Sequence, residues 1–242
     1  MACMDARTAA SKRSAAEVGA TPLVVCLTNE VAANFTANCL LAVGAKPAMV
    51  AEPSEAAELV AAADALLVNL GTVTARQAEA MQAAVTAANA HGVPWVLDPV
   101  GVQLLAFRRQ LAFELLASKP SIIRGNNAEI EVFLGPGPTS MGSVPTSAAL
   151  LTTGPTDRIV DGDGAVSEVA GGVPMLQAVT ATGCAQGGIC AAFLGWGQSP
   201  REAALSASRL MKRAGEEAWK RAKTPGSFQL SLVDALWELS HD

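Results

Sequence analysis

The chain alternates short, fully apolar segments with longer segments in which apolar residues recur at helical spacing. A short apolar run bounded by turn signals is typical of a strand that is buried on both faces. Because such strands need a helical layer on each side, repeated strand–helix units favour a mostly parallel sheet covered by helices. The sequence therefore predicts an α/β fold with a three-layer, doubly wound, mostly parallel sheet.

Strands and helices follow one another in regular order along the chain. The predicted strands are residues 23–28, 48–50, 65–70, 95–98, 121–124 and 148–152, followed by a hairpin over 157–169 that turns at 161–164. The predicted helices are residues 31–43, 54–63, 74–92, 107–118, a segment from 126, 184–195, 200–223 and 230–240. Ser54 and Thr74 have the residue type that begins helices, and Gly92 the type that ends them. No linker or repeat divides this pattern, so residues 22–242 are predicted to form one domain.

Charge and hydropathy argue against two classes of partner. The net charge is −5 and no long run of Lys or Arg occurs, whereas nucleic-acid binding needs a basic face. No apolar stretch approaches the roughly 18 uninterrupted residues of a membrane span. Residues 1–21 lack the apolar region of a secretory signal, so we expect a flexible tail there. We expect neither nucleic-acid nor membrane binding.

Cysteine and histidine usage narrows the chemistry further. The five Cys are widely spaced and form no CxxC pair, which disfavours a disulfide framework or zinc site and favours a reducing cytoplasm. The two His, His91 and His241, lie near predicted helix ends, where solvated residues are common. Mechanisms that need a histidine base are therefore disfavoured.

Polar residues and glycines gather at the predicted strand ends, where α/β sheets bind ligands. These residues are Asn29, Asn69–Thr72, Asp98, Arg124–Glu129 and Thr153, and Thr180–Cys184 precedes a predicted helix. Mg²⁺ takes one or two protein carboxylates and leaves room for phosphates, so Asp98 and Glu129 are predicted metal ligands. The planar donor fork of Arg124 suits phosphate oxygens.

The segment before the helix at 184–195 predicts an anion site. Gly183 at a helix start exposes backbone N–H groups, and the helix dipole adds positive potential there. Cys184 would lie at the same end, where a thiolate is stabilised. The alternative is that Cys184 packs as a small apolar residue, as most cysteines do.

Eight segments together resemble hydroxyethylthiazole kinases. They are Val24–Asn29, Asn34–Asn38, Gly44–Met49, Asn69–Thr72, Trp95–Val100, Ile123–Asn126, Thr182–Cys184 and Pro225–Phe228. The match runs in order over nearly everything from residue 22 to 240. Asn126-x-x-Glu129 also resembles the NxxE motif of the ribokinase-like superfamily, which serves Mg²⁺ and phosphate there.

The resemblance implies a ribokinase-like fold and a reaction. ATP would phosphorylate the hydroxyethyl group of 4-methyl-5-(2-hydroxyethyl)thiazole with the help of Mg²⁺, in thiamine biosynthesis or salvage. By position, Arg124, Asn126 and Thr153 would bind ATP, and Asp98 and Glu129 the metal. Asn29, Met49, Gly71 and Ala181 would border the thiazole, while Gly183 and Cys184 would act at the reacting atoms, Cys184 replacing the usual Asp base. The resemblance also implies a homotrimer with its sites between subunits.

Three departures from the family pattern leave alternatives open. Ala181 stands where the TGxGC loop has its first Gly, the segment between Gly135 and Thr153 is short and lacks a recognisable crossover helix, and residues 103–106 replace a small, polar loop. We favour a tolerated substitution at Ala181, with a negative φ and the methyl group turned away from the substrate. The alternatives are a kinase for a hydroxymethylpyrimidine or pyridoxal, and a degenerate paralogue that binds nucleotide or thiazole or only assembles with partners.

Overall fold

A computed structural model describes residues 21–134, 144–145 and 147–241. The predicted N-terminal tail lies almost wholly outside this range. So does most of the short segment after Gly135, and the prediction that it lacks a crossover helix is therefore left open.

Eight strands form one mostly parallel sheet in the described part of the chain. They are β1 (Leu23–Leu27), β2 (Lys46–Met49), β3 (Ala65–Asn69), β4 (Trp95–Asp98), β5 (Ile122–Asn126), β6 (Ala149–Thr153), β7 (Asp157–Val160) and β8 (Val166–Val169). The strand order is β2-β1-β3-β4-β5-β6-β7-β8, and only β7 and β8 run antiparallel to their neighbours. The predicted parallel α/β architecture and the predicted hairpin are confirmed.

The helices lie between the strands and after them. They are α1 (Ala33–Ala42), α2 (Pro53–Ala61), α3 (Ala75–His91), α4 (Ala106–Leu116), α5 (Asn127–Glu131), α6 (Met175–Ala178), α7 (Thr182–Gly195), α8 (Pro200–Arg221) and α9 (Pro225–His241). Thr74 and Gly92 delimit α3 as predicted: Thr74 forms a capping box with Gln77, and Gly92 adopts the left-handed conformation. Within the described ranges, no helix has the length and apolarity needed to cross a membrane.

Side chains of successive strand residues enter two cores, one on each face of the sheet. Val24 and Cys26 pack with α1, α7, α8 and α9, whereas Val25 and Leu27 pack with α2, α3 and α4. This alternation follows from the two-residue repeat of a strand. The predicted three-layer arrangement is therefore confirmed.

Two glycines allow α7 to lie close against the sheet and α1. A Cβ at Gly187 would come within 3.2 Å of Leu67 Cδ1, and one at Gly188 within 3.0 Å of Thr36 Cγ2. The low helix propensity of these glycines is thus offset by close packing. This close packing at Gly187 and Gly188 brings the N-terminus of α7 to the carboxyl ends of β3 and β4.

Three details of the helix prediction were wrong. Helix α2 begins at Pro53 with Glu52 as its N-cap, so Ser54 does not cap it. Helix α9 begins at Pro225 rather than at Leu230, and the short helix α6 was not predicted. Proline favours the first helical position because its fixed φ suits a helix and its missing N–H is not needed there.

The chain reverses its direction of travel across the sheet at β1. From β1 it passes to β2 on one side and then to β3 on the other, which leaves a crevice at the carboxyl ends of these strands. The residues after β1, β3, β4, β5 and β6 lie at the same edge of the sheet as the N-terminus of α7, and helix α7 contacts β1, β3 and β4 along its length. This edge contains most of the predicted site residues.

Candidate active site

A chain of amide hydrogen bonds joins Asp98 to Cys184 across the ends of the central strands. Asn69 Nδ2 donates to Asp98 Oδ2 at 2.5 Å, and Asn29 Nδ2 donates to Asn69 Oδ1 at 2.8 Å. Asn29 Nδ2 also lies 3.6 Å from Cys184 Sγ, and Asn29 Oδ1 accepts the N–H of Ala32 at 2.9 Å. Because Asn69 and Asp98 are fully buried, the chain fixes Cys184 relative to the Asp98 carboxylate.

Gly71 provides the space that this chain needs. A Cβ at position 71 would lie 2.5 Å from Asn29 Nδ2, which no side chain could tolerate without displacing Asn29. The Gly71 N–H also donates to Asn69 Oδ1 at 3.0 Å. The predicted substrate residue Gly71 therefore has a second, structural reason to be glycine.

The two oxygens of the buried Asp98 carboxylate have different surroundings. Oδ1 accepts no hydrogen bond from any described residue and lies 3.5 Å from Arg124 Nη1. Burial raises the pKa of Asp98 to about 6, Arg124 opposes this rise, and Glu129 adds to it. At neutral pH Asp98 is therefore predominantly a carboxylate that faces Arg124 with one oxygen and Asn69 with the other.

The Glu129 carboxylate is held by two backbone N–H groups. Oε2 accepts from Asn126 at 2.9 Å as part of a capping box, and Oε1 accepts from Gly101 at 3.0 Å. Each oxygen keeps a second lone pair. Glu129 is buried, so its orientation is fixed before any ligand binds.

The predicted metal ligands fit a hard cation. Asp98 Oδ1 and the free lone pairs of Glu129 are oxygen donors of the kind that Mg²⁺ prefers. Among the described residues, no cluster of three or more His, Cys, Asp or Glu could hold a metal by itself. Phosphate or water oxygens would therefore have to complete the coordination, as is usual for Mg²⁺.

Two positive charges converge at the start of α7. A Cβ at Gly183 would lie 2.7 Å from Arg124 Nη2 and 2.8 Å from Nη1, so only glycine lets the guanidinium approach the helix terminus this closely. A guanidinium beside the positive end of a helix dipole is repulsive unless an anion lies near both. The predicted anion site at Gly183 thus acquires a second cationic partner.

Cys184 is the third residue of α7 and is partly buried. Burial raises the pKa of its thiol to about 11, Asp98 adds to the rise, and Arg124 opposes it. Cys184 is therefore a neutral thiol at physiological pH. The predicted stabilisation of a thiolate at this helix end is outweighed by burial.

A cavity of about 810 Å³ opens beside Arg124. Its walls come from the ends of β5 and β6, the segments around Gly154 and Gly172, α6, and the faces of α7 and α8. The predicted ATP residues Arg124, Asn126 and Thr153 all line it, and so does Gly183. This volume is typical of a pocket for a ligand of nucleotide size.

The predicted thiazole residues lie outside this cavity. Asn29 and Cys184 belong to the amide chain, and Gly71 lies against Asn29. Met49 lies at the exposed end of the edge strand β2, paired in register with Cys26. Arg124 and Gly183 stand between the two groups, since Arg124 contacts both the cavity and Asp98. The structure therefore separates the predicted residues into two neighbouring sets, and their ligands remain predictions.

A sequence profile described as the Hydroxyethylthiazole kinase family matches residues 17–242. The chain belongs to the hydroxyethylthiazole kinase family. A curated hydroxyethylthiazole kinase of Serratia proteamaculans (strain 568) is 44% identical over 235 residues, which cover 90% of this chain and 89% of the relative.

Solved structures agree with this membership. The structure of a hydroxyethylthiazole kinase protein from Pyrococcus horikoshii OT3 has a TM-score of 0.83 and 34% identity, over 90% of this chain and 88% of that one. The pyridoxal kinase from Staphylococcus aureus in complex with ADP has a TM-score of 0.64 at 18% identity, over 82% of this chain and 89% of that one, and shares the fold. The predicted ribokinase-like architecture is confirmed.

Sequence reasoning did not single out several polar residues around this kinase-family site. The sequence places Asn69 in a cluster of polar residues at a strand end but predicts no role for it. In the structure it bridges Asn29 and Asp98. Gln186, Asp157 and Lys212 are also buried and polar. The sequence does contain a signal for Lys212, because a charged residue there interrupts the apolar face of α8.

The predicted backbone conformation at Ala181 is wrong. Ala181 has φ 69° and ψ −2°, in the left-handed region, where it precedes the first residue of α7. A Cβ in this region crowds the adjacent carbonyl, which costs roughly 1–2 kcal/mol. The glycine of the family's TGxGC pattern is explained by this angle, and the chain retains the angle despite the alanine.

We expect Ala181→Gly to stabilise the protein by roughly 0.5–1 kcal/mol, because relief of the left-handed strain exceeds the added entropy of the unfolded chain. Chemical denaturation followed by tryptophan fluorescence measures this change. Ala83→Gly, in the middle of α3, is the matched control and should destabilise by about 1 kcal/mol. Equal destabilisation by both variants would contradict the strain at position 181.

Proposed function

We propose that the protein transfers the γ-phosphoryl group of ATP to the hydroxyethyl group of 4-methyl-5-(2-hydroxyethyl)thiazole, in thiamine biosynthesis or salvage. The main structural support for this proposal is the position of Arg124 and the N-terminus of α7. They lie between a nucleotide-sized cavity and the amide chain that ends at Asn29 and Cys184. Family membership and the 44% identical hydroxyethylthiazole kinase support the choice of acceptor.

The cavity wall combines polar and apolar residues, as a site for a nucleotide requires. Arg124, Asn126 and Thr153 are polar lining residues, and Arg124 adjoins Gly183, so phosphates would lie near the start of α7. Val173, Pro174, Leu176 and Met211 supply apolar surface for a base. The ADP complex of the Staphylococcus aureus pyridoxal kinase, which has the same fold, supports a nucleotide in this family of folds.

The acceptor alcohol would lie on the other side of Arg124. Asn29, Gly71 and Cys184 present a wall of fixed polar groups there, and Met49 offers an exposed apolar surface at the end of β2. Ala181 adjoins the same end of α7. An alcohol between Cys184 and the phosphate end of the cavity would be oriented for attack, which is most of what phosphoryl transfer needs.

Asp98 and Glu129 would hold Mg²⁺, directly or through water. A bound Mg²⁺ neutralises charge on the phosphates and orients them. The buried Asp98 carboxylate and the two N–H groups on Glu129 fix these oxygens in advance, so no reorganisation is needed when the ligands arrive.

Cys184 Sγ, in its deprotonated form, would accept the proton of the alcohol as the new P–O bond forms and the bond from phosphorus to the ADP oxygen breaks. The neutral thiol that predominates at physiological pH can only accept a hydrogen bond from the alcohol through Sγ. This hydrogen bond would orient the hydroxyl group, and a loose phosphoryl-transfer transition state needs little deprotonation of the nucleophile beforehand. Arg124, Gly183 and the N-terminus of α7 would stabilise the charge on the transferring group. The amide chain through Asn29 would keep Sγ in place.

We further propose a homotrimer with acceptor sites between subunits, working in the cytoplasm where ATP is available. Exposed apolar side chains at and near the edge strand β2, Val31, Leu41 and Met49, support a subunit contact at this edge.

Turnover with a panel of acceptors tests the proposed function. With Mg²⁺ and ATP, we expect kcat/KM for the thiazole alcohol to exceed that for hydroxymethylpyrimidine or pyridoxal by at least about tenfold, since a fitted pocket discriminates by this amount. Preference for either other alcohol would assign a different kinase activity. ATP binding without turnover of any acceptor would mean a binding paralogue.

Replacing Glu129 tests the proposed metal site. Glu129→Gln removes the charge but keeps an oxygen acceptor, and we expect kcat to fall about 100-fold, with a higher Mg²⁺ concentration for half-maximal rate. Glu131→Gln, on the exposed side of the same short helix, should leave both values unchanged. Undiminished turnover in Glu129→Gln at limiting Mg²⁺ would exclude Glu129 as a ligand.

Replacing Cys184 tests the proton acceptor. Cys184→Ala should keep the fold and both KM values while kcat falls at least about tenfold, and Cys184→Asp should retain or raise activity because a carboxylate accepts the proton better. Cys190→Ala, at a fully buried position deeper in α7, should leave kcat unchanged. If Cys184→Ala and Cys190→Ala turn over alike, Cys184 only packs.

A further inference from the structure

Four buried polar side chains form a continuous path from α8 to Arg124. Lys212 Nζ lies 3.3 Å from Asp157 Oδ1, and Asp157 Oδ2 accepts from Gln186 Nε2 at 3.1 Å. Gln186 Oε1 in turn accepts from Arg124, at 3.3 Å from Nε and 3.2 Å from Nη2. All four residues are less than a tenth exposed, so a charge in this path has little water to compensate it.

Lys212 is fully occupied by the protein. Nζ donates to the carbonyl oxygens of Gly154 at 3.1 Å, Pro155 at 3.0 Å and Gly171 at 3.1 Å. An ammonium group has three protons, so none remains for a ligand in the neighbouring cavity. Lys212 therefore does not act as a phosphate donor, although it lines the cavity.

The three carbonyls belong to two separate segments of the cavity wall. Gly154 and Pro155 follow β6, while Gly171 follows β8, and all three line the cavity. A single ammonium group thus holds together two segments that are distant in sequence. Removing it would leave three buried carbonyls and the Asp157 carboxylate to find other partners.

Helix α8 holds the second segment, at Gly171 and Gly172, with one positive and one negative side chain. Glu216, one turn after Lys212, accepts the N–H of Gly172 at 2.7 Å through Oε1. Gly171 and Gly172 have φ of +103° and +80°, so this segment has the backbone freedom of glycine and needs external contacts to define its position. Lys212 and Glu216 supply these contacts.

We propose that Lys212 is a positioning residue for nucleotide binding. It holds the segments at Gly154 and Gly171 at the width of the cavity, and through Asp157 and Gln186 it orients the Arg124 guanidinium toward the start of α7. This inference rests on the proposed assignment of the cavity to ATP. The acceptor side depends instead on Asn29, Asn69 and Gly71. Among the described residues, the side-chain hydrogen bonds of the two asparagines run to each other, Ala32, Gly71, Asp98 and Cys184 rather than to this path.

The position of Lys212 predicts an effect on one ligand and not on the other. A displacement of the Arg124 guanidinium or of the cavity walls by about 1 Å costs roughly ten- to a hundredfold in a well-oriented site. The dissociation constant of ADP and the KM for ATP should rise by that factor, while the KM for the thiazole alcohol stays within about twofold. A purely structural ion pair would lower stability and affect both ligands alike.

Two variants and a control test the proposal. Lys212→Met removes the ammonium group, and the double variant Lys212→Met/Asp157→Asn also removes the charge that would otherwise be left buried and unpaired. Lys220→Met, in the last turns of α8, is the control, because Lys220 is exposed and pairs only with Glu217 among the described residues. Circular dichroism establishes folding, isothermal titration calorimetry with ADP gives the dissociation constant, and steady-state kinetics give the two KM values.

The inference stands if a folded Lys212 variant binds ADP at least about tenfold more weakly than both the parent and Lys220→Met, with the thiazole KM unchanged. It is overturned if the folded double variant binds ADP like the parent, or if both ligands weaken equally. A parent that binds ADP but phosphorylates no thiazole alcohol would refute the proposed function, and the ADP comparison would still decide the role of Lys212. A parent that binds no ADP would refute both.

Discussion

The structure depends on how Arg124 is held between the sheet and helix α7. A buried guanidinium is costly unless its charge and its donors are compensated, and here Asp98, Gln186 and Thr153 provide the compensation. Gly183 lets the guanidinium approach the positive end of α7, where the two positive potentials add. Asp98 offsets part of this potential from the protein side, and the proposed phosphate ligand would offset more of it.

Asp98 connects the two sides of the site through its two oxygens. Oδ1 faces Arg124 and therefore the cavity, while Oδ2 accepts from Asn69 and therefore belongs to the chain that ends at Cys184. The two sides of the site thus meet at this buried carboxylate. Its raised pKa is the energetic sign of the same burial, since the charged form is held where water does not reach it.

The sequence predicts the strands and the residues at their ends well, because both depend on local patterns. Asp98 ends a strand of four buried residues, and Thr74 and Gly92 carry the chemistry of helix ends. The pairing of Asn29 with Asn69 could not be predicted, because it depends on the lateral position of two strands that are 40 residues apart in the chain. The role of Lys212 could not be predicted for the same reason, since its carbonyl partners come from two segments that only the fold brings together.

Ala181 shows the limit of arguing from residue type alone. A preference for negative φ at alanine is sound for an isolated residue, but the strong packing of α7 on the sheet determines where the preceding loop must turn. The strain at one residue costs little free energy compared with what α7 gains by burying apolar side chains such as Ile189, Cys190 and Ala191. Position 181 therefore keeps a glycine-like conformation, and the loop can still bring Cys184 to Asn29. Because the helix carries both Gly183 and Cys184, the same packing that imposes this strain also fixes the proposed anion site and the proposed proton acceptor relative to each other.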